Sequence, residues 1–143
     1  KQPFTPRQQK LMTEGVTAYD DIFECQRRFG HIKKNPEDHQ IKSKISDISD
    51  IDSDGQFVFF GKLKEKFLKE GKTQKMNKSL NLKVEDDSGQ IFCTIDRFKY
   101  PKIGKPIFES ASEGDWFLIK GKMNQRFRKI YVDRVRKLDI SDQ

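Results

Sequence analysis

The sequence predicts a small, mainly β domain: a five-stranded Greek-key barrel preceded by a short helical segment. Its apolar residues have helical spacing before Gly55 and alternate one by one after it. Five alternating segments follow, with a longer irregular segment, broken by two prolines, between the third and the fourth. The length of 143 residues allows one domain with a short appendage. We expect a helical segment at 1–30, a linker that docks on the barrel at 31–55, and the barrel at 56–138.

The first thirty residues have the pattern of two short helices. Thr5 is a suitable N-cap for the first, Pro6 suits its first turn, and Gly15 is suited to end it. Thr17 can cap the second, which carries a partly apolar stripe and reaches Gly30. Because the second helix has more acidic than basic residues, it is a poor candidate for recognising DNA in a groove. We expect a packing or linking role for it.

Residues 31–55 are polar apart from isoleucines at intervals of three or four residues, which are Ile41, Ile45, Ile48 and Ile51. One or two helical turns here would dock these isoleucines on the barrel. The segment 50–55 imitates the start of a calcium-binding EF-hand loop, but the twelfth position, which requires a bidentate glutamate, is Gly61. We interpret the segment as an acidic turn that leads into the first strand.

Apolar residues predicted to face the barrel interior define the strands. The first strand begins at Gln56, and its pattern continues loosely to Phe67. The second and third strands form a hairpin around an acidic turn at 86–89. A break in alternation between Val132 and Val135 indicates a β-bulge in the fifth strand. The predicted inward residues are Phe57, Phe59, Leu63, Phe67, Leu80, Leu82, Val84, Ile91, Cys93, Ile95, Phe117, Ile119, Met123, Ile130, Val132, Val135 and Leu138.

Five strands with a non-strand segment between the third and the fourth are the element order of the OB-fold, a small Greek-key barrel. Gly61 and Gly121 fit this fold, because strands that bend sharply to close a small barrel often have glycine at the bend. OB-folds bind ligands across strands 2 and 3, between the loop joining strands 1 and 2 and the loop joining strands 4 and 5. We expect these loops at 65–78 and 124–129.

The chain has a net charge of +7, and all of its excess positive charge belongs to the barrel part. Residues 1–55 contain nine Lys and Arg against ten Asp and Glu, whereas residues 56–143 contain twenty against twelve. Lysines on β-sheets are often only solvated groups that guard exposed edges. A closed barrel has no such edges, and the two basic clusters coincide with the two loops that border the expected groove. This distribution favours an acidic partner such as nucleic acid.

Nucleic-acid binding needs cations for the phosphates and aromatic rings on which unpaired bases stack. Phe127 lies between two arginines at the tip of the second loop, where it cannot be buried, and Phe92 faces outward on the third strand. Trp116 is assigned a structural role. The predicted nucleic-acid-binding residues are Lys62, Lys64, Lys66, Lys69, Lys72, Lys75, Lys78, Asn81, Lys83, Phe92, Thr94, Arg126, Phe127, Arg128 and Lys129.

The sequence predicts no catalytic residues, no metal site and no cofactor. Cys25 and Cys93 lack the spacing of zinc or redox motifs, and the two histidines lie in one polar stretch. Asp86 and Asp87 occupy a hairpin turn, where aspartate is favoured for backbone reasons. No stretch has the apolar length of a membrane span or a signal peptide, so we expect a cytoplasmic protein. Since the chain opens on Lys1, we expect it to be a piece of a longer polypeptide.

Residues 40–138 resemble the OB domain shared by class II aminoacyl-tRNA synthetases and the alpha subunit of bacterial DNA polymerase III. The motifs that carry the resemblance are FFGKL at 59–63, LKVEDDSG at 82–89 and FLIKGKM at 117–123. The lead-in SKISDI at 43–48 is similar to that of the polymerase domain. Family members often have an aromatic residue in strand 2 that can stack on a base, and this sequence has Asn81 there.

The resemblance implies a non-catalytic module that holds single-stranded DNA in a basic groove, as part of a replicative DNA polymerase alpha subunit. The implied partners are single-stranded DNA and other replication proteins or the rest of a longer polypeptide, and no membrane. Two alternatives stay open. The chain could be an RNA- or tRNA-binding module, or a protein-interaction domain of a replication complex in which residues 1–30 dock a partner and the lysines confer only solubility.

Overall fold

The computed structural model describes residues 45–71 and 78–140, together with Pro6, Lys10, Leu11, Thr13, Glu14, Gly15, Ala18 and Tyr19. Five strands close into a barrel in the order β1-β2-β3-β5-β4. The strand pairs are antiparallel except for the short parallel pair of β3 with β5. This confirms the predicted mainly β, five-stranded OB-fold barrel. The strands are β1 (Gly55–Lys69), β2 (Ser79–Asp86), β3 (Gly89–Ile95), β4 (Trp116–Asn124) and β5 (Lys129–Lys137).

Alternating apolar residues from all five strands fill the barrel interior, as the sequence predicted. Fully buried members of this core include Phe59, Leu80, Cys93, Ile119 and Ile130. Burial of each large apolar side chain contributes about 1.5–3 kcal/mol to folding. The interior is therefore a packed core, and any ligand must bind on the outside of the barrel or at its ends.

A β-bulge in β1 changes which of its residues face this core. Leu63 pairs with Val84, but the next pair joins Glu65 to Lys83, so Lys64 is an extra residue with no partner on β2. Since successive side chains of a strand point to opposite faces, one extra residue reverses the orientation of every side chain that follows.

The observed end of β1 corrects two predictions, one about the direction of its side chains and one about where the strand ends. Lys66 and Leu68 now take the inward-facing positions, while Phe67 faces outward with 46% of its surface exposed. The prediction that Phe67 faces the interior is therefore wrong. Because β1 continues to Lys69, the loop that joins it to β2 begins at residue 70 and not at residue 65.

The bulge predicted in the fifth strand is confirmed. Lys120 pairs with Arg134 and Gly121 with Val132, so Asp133 is the extra residue of β5. A Cβ atom added at Gly121 would lie 2.7 Å from the carbonyl oxygen of Tyr131. Glycine is needed at this bend because only it leaves room for the close approach of β4 and β5.

A 3₁₀-helix (Ile48–Asp50) closes one end of the barrel. Ile48 and Ile51 are buried in the core at this end. The backbone N–H of Ile48 donates a hydrogen bond to Asp86 Oδ2 at 2.9 Å, and Asp86 Oδ1 accepts one from the N–H of Ser88 at 2.7 Å. The turn between β2 and β3 therefore holds the lead-in segment against the barrel.

The connection between β3 and β4 closes the opposite end. It consists of a π-helix (Tyr100–Gly104) and an α-helix (Lys105–Ser110). Tyr100, Ile107 and Ala111 are buried in the core. The irregular segment predicted between the third and fourth strands is thus partly helical and acts as a lid on the barrel.

A second apolar cluster covers the outside of β1 and β4. Trp116 is 2% exposed, in agreement with its predicted structural role. Leu138, predicted to face the barrel interior, is buried in this second cluster instead. The buried members are Leu11, Ala18, Tyr19, Val58, Trp116, Leu118 and Leu138, and Ile45, Phe60 and Ile140 pack against them.

The described residues near the N-terminus have helical backbone and approach β1 closely. A side chain added at Gly15 would come within 2.6 Å of the Phe60 ring, so glycine permits this contact. Most of the second predicted helix, at 20–30, lies outside the described residues. No helix in the described part of the chain has the length and apolar character needed to cross a membrane.

Candidate nucleic-acid interface

Two rows of outward-pointing side chains cross the barrel from β1 to β5. Residues that pair across neighbouring strands point to the same face of a sheet. The first row runs from β1 to β5 through Phe67, Asn81, Thr94 and Tyr131. The second row runs through Glu65, Lys83, Phe92 and Lys129. We call the surface formed by these eight residues the β2–β3 face.

Exposed aromatic rings lie on and beside this face. Phe67 is 46% exposed, Phe92 49% and Phe127 57%. Large apolar side chains are usually buried, so three exposed rings around one surface indicate a contact site.

Each of the rings at the β3–β5 side has a cation close to it. Lys83 Nζ lies 5.9 Å from the centre of the Phe92 ring, and Lys129 Nζ lies 5.6 Å from that of Tyr131. The Arg126 guanidinium lies 5.5 Å from the centre of the Phe127 ring. These distances are within the range of about 6 Å for cation–π attraction. The arrangement offers a stacking surface and a phosphate partner side by side.

The turn between β4 and β5 has a defined geometry. Gln125 N–H donates to Asp54 Oδ1 at 2.7 Å, and Phe127 N–H donates to Asn124 Oδ1 at 3.3 Å. Arg128 has a φ of 55°, in the left-handed region, and its N–H donates to the carbonyl oxygen of Asn124 at 2.8 Å. The turn thereby directs Phe127 and its two flanking arginines away from the core, as predicted for a loop tip.

A groove of about 600 Å³ lies between Phe92 and this turn. Its volume is in the range of sites that hold small ligands, about 300–1,000 Å³. Four apolar residues and two phenylalanines line it, and polar groups that can bond a base edge surround it. The lining residues are Ile48, Ile51, Asp52, Gln90, Ile91, Phe92, Met123, Gln125, Phe127 and Arg128.

Asn81 and Thr94 form one hydrogen-bonded unit in the first row. Thr94 Oγ1 donates to Asn81 Oδ1 at 2.7 Å, and Thr94 is only 7% exposed. Both residues were predicted to bind nucleic acid. Thr94 is buried between its neighbours, so its role in such a site would be to orient the Asn81 amide.

Two of the predicted lysines of β1 share one acidic partner. Lys62 Nζ lies 3.6 Å and Lys64 Nζ 3.8 Å from Glu85 Oε2. Ion pairs near the surface contribute only about 0–1 kcal/mol, so a phosphate can compete for either lysine.

Lys66, also predicted to contact nucleic acid, is bonded within the fold. Its ammonium donates to the carbonyl oxygens of Phe108 and Ala111, both at 2.6 Å, and lies 5.3 Å from the centre of the Phe108 ring. The bulge at Lys64 turns this side chain toward the barrel end, where it holds the β3–β4 connection. Lys66 is therefore the least suited of the predicted lysines to contact a ligand.

The remaining predicted cations lie around the β2–β3 face. Lys72 and Lys75 lie outside the described residues. The others, which form no ion pair with a residue that the structure describes, are Lys69, Lys78, Lys83, Arg126, Arg128 and Lys129.

Phe67 and Tyr131 belong to the same rows but were not predicted as site residues. Tyr131 alternates with the inward Ile130 and Val132, so its outward direction was available from the sequence. The direction of Phe67 depends on the bulge at Lys64, which the strand pairing reveals and the alternation of residues does not.

The described residues contain no cluster of three or more side chains that could hold a metal ion. Cys93 is fully buried in the barrel core, and this desolvation raises the pKa of its thiol. A thiol that is buried and protonated is unreactive. The exposed rings, cations and amides of the described surface can make contacts through charge, stacking and hydrogen bonds.

Comparison with known proteins identifies the fold. No protein-family model and no curated protein matches the sequence. Among solved structures, the chain is similar to a domain of replication protein A from Methanococcus maripaludis, with 20% identity and a TM-score of 0.51. That similarity covers 65% of this chain and 93% of the other.

Two further structures have lower scores. The second OB-fold domain of replication protein A from the same organism, solved by NMR, is 18% identical with a TM-score of 0.45, covering 69% of this chain and 99% of that one. The structure of yeast Stn1 and Ten1 is 13% identical with a TM-score of 0.49, covering 59% of this chain. Our chain spans 43% of the length of the yeast chain. The similarity to the first of these three structures, with 20% identity and a TM-score of 0.51, shows a shared fold.

Proposed function

We propose that the chain is a non-catalytic module that binds single-stranded DNA across its β2–β3 face. The observation that carries the proposal is the set of exposed rings with cations beside them, Phe92 with Lys83 and Phe127 with Arg126, on either side of one groove. Each ring can stack on an unpaired base while its cation contacts the adjoining phosphate.

Single strands fit this surface better than a duplex does. In a duplex the bases stack on one another, so rings such as Phe92 and Phe127 have no base face to contact. A duplex would gain only the phosphate contacts. An unpaired base that enters the groove gains both the apolar lining and the polar groups of Gln90 and Gln125. Stacking contributes roughly 1–3 kcal/mol for each base.

The proposed site consists of three groups of residues. Phe67, Phe92 and Phe127 stack on bases, and Asn81, oriented by Thr94, donates or accepts hydrogen bonds at a base edge. The phosphate partners are Lys62, Lys64, Lys69, Lys78, Lys83, Arg126, Arg128 and Lys129, with Lys72 and Lys75 of the β1–β2 loop added on the sequence pattern alone.

We further propose that the chain is part of a larger replication protein. The domain of Methanococcus replication protein A with the same barrel belongs to a protein named for replication, and this proposal places our chain in that process. Assignment to the alpha subunit of a bacterial replicative polymerase rests on the motifs at 43–48, 59–63, 82–89 and 117–123 and remains a prediction.

Removing the loop contacts tests the function directly. In a fluorescence titration with a labelled oligonucleotide, simultaneous replacement of Arg126, Phe127 and Arg128 by alanine should weaken binding by at least tenfold. The charge-matched control replaces Lys102 and Lys105, which are exposed at the opposite end of the barrel, and should bind like the wild type. Affinity that is weak in the wild type and unchanged in the triple variant would identify a protein-interaction domain instead.

Competition distinguishes DNA from RNA on the same surface. An unlabelled DNA strand should displace the labelled strand at a lower concentration than an RNA strand of equal length and sequence. If the RNA strand competes better than the DNA strand, the chain would instead be an RNA- or tRNA-binding module.

A further inference from the structure

The two rows of the β2–β3 face, which run from β1 to β5, continue onto β4. In the first row Thr94 pairs with Tyr131 of β5, and Tyr131 pairs with Lys122 of β4. In the second row Lys129 of β5 pairs with Asn124 of β4. The outward side chains of β5 and β4 therefore form one continuous surface with those of β2 and β3.

This neighbouring surface is strongly basic. Residues 116–137 contain one acidic residue, Asp133, whose Oδ2 lies 3.6 Å from Lys120 Nζ. Lys122, Arg134 and Arg136 are exposed. The cations that point outward from β4 and β5 are Lys120, Lys122, Lys129, Arg134 and Arg136. We call this surface the β4–β5 face.

Lys122 and Arg134 are exposed on this surface. The described N-terminal residues Leu11, Ala18 and Tyr19 belong to the apolar cluster that includes Trp116 and Leu118 at the start of β4. Neighbouring strands lie about 4.8 Å apart, so β5 lies one such spacing from β3 and β4 lies about 10 Å from β3 along the rows.

We propose that a single strand longer than the β2–β3 face can hold continues over Tyr131 onto the β4–β5 face, where Lys122 and Arg134 contact its phosphates. The ligand is the next segment of the same nucleic acid, so the inference rests on the proposed function. Tyr131, with Lys129 at 5.6 Å from its ring centre, connects the two faces. This unbroken series of ring and cations favours a polynucleotide over an acidic peptide.

The length of the bound strand is the variable that tests this path. OB-folds occupy about 4–16 nucleotides, so a thymidine oligonucleotide of about 6 residues can remain on the β2–β3 face and one of about 16 can reach beyond it. The double variant Lys122→Ala and Arg134→Ala should bind the longer strand about tenfold more weakly and the shorter strand within about twofold of wild type.

Salt dependence gives a second readout. Loss of two phosphate contacts should reduce the slope of log K against log salt by about 1.4 for the longer strand, because each contact contributes about 0.7. The double variant Lys102→Ala and Lys105→Ala removes the same charge elsewhere and should leave the ratio of the two affinities unchanged. Lys122→Gln with Arg134→Gln repeats the test with side chains that keep polar contacts.

Three outcomes would overturn the proposal. The first is unchanged affinity of the double variant for the longer strand. The second is an equal loss of affinity for both strand lengths, which would show that Lys122 and Arg134 act only through the overall electrostatic field of the protein. The third is loss of binding to a polyglutamate peptide with the longer strand unaffected, which would indicate an acidic protein partner. Failure of the wild type to bind either strand would instead contradict the proposed function.

Discussion

Phe127 is a large apolar residue that the fold holds in solvent beside the groove. It is 57% exposed at a turn whose backbone is fixed by Asn124 and Asp54, with the Arg126 guanidinium 5.5 Å from its ring centre. Exposure of an apolar ring gains nothing for folding. Because Phe127 also lines the groove, we propose that it stacks on a base.

Replacing Phe127 with alanine should separate binding from stability. The affinity for single-stranded DNA should fall by roughly 5- to 150-fold, which corresponds to the loss of 1–3 kcal/mol of stacking. The melting temperature should not change, because the ring is outside the core. Phe127→Trp, which retains a stacking surface, should bind at least as well as wild type, and equal weakening of both variants would contradict a stacking role.

Lys66 and Lys69 lie on the same strand, and we expect opposite roles for them. Lys66→Met removes two hydrogen bonds to carbonyl oxygens that lie at 2.6 Å, and it should lower the free energy of unfolding by about 1–3 kcal/mol. Lys69→Met should leave stability within about 0.5 kcal/mol and weaken DNA binding. Urea unfolding and fluorescence titration of both variants measure this, and a reversed pattern would return Lys66 to the binding site.

At the scale of elements, the alternation of apolar residues predicted the strands, their hairpin and one of the two bulges. The bulge of β5 was visible because Val132 and Val135 are both apolar and cannot belong to one alternating series. The bulge of β1 was not visible, because Lys62, Lys64 and Lys66 are chemically alike and any of them could be the extra residue. Only the pairing with β2 identifies Lys64.

That hidden bulge explains the main differences between the predicted site residues and the residues that the strand pairing places on the β2–β3 face. It turns Lys66 away from this face and turns Phe67 onto it. Likewise, the cover on β1 and β4 depends on contacts between distant parts of the chain, such as Gly15 with Phe60, which the spacing of residues does not encode. The loop at 124–129 needed no such information, since a turn between two arginines is exposed in any register.

Phe67→Ala tests the direction of β1 after its bulge. An inward phenylalanine costs about 3–5 kcal/mol when cut back to alanine, whereas the outward ring found here should cost less than about 1 kcal/mol. Phe59→Ala, at a fully buried position, is the matched control and should show the large loss in thermal or urea unfolding. A loss at Phe67 as large as that at Phe59 would contradict the assigned register.

At the scale of the whole molecule, apolar cover and exposed charge lie on different parts of the described barrel. Leu11, Ala18 and Tyr19 pack on the outside of β1 and β4, and the lead-in and the β3–β4 connection close the two ends of the barrel. The excess positive charge belongs to residues 56–143, which contain twenty Lys and Arg against twelve Asp and Glu. We retain as a proposal the division into a helical segment at 1–30, a docked linker at 31–55 and a barrel at 56–138.

The measurement that most directly tests single-strand binding by the β2–β3 face is a titration of labelled single-stranded and blunt duplex DNA at a series of salt concentrations. About four to six phosphate contacts predict a slope of roughly −3 to −4 for log K against log salt with the single strand. The single strand should also bind more tightly than the duplex at every salt concentration, because stacking on exposed rings requires unpaired bases. A flat slope, or equal affinity for the blunt duplex, would contradict the account.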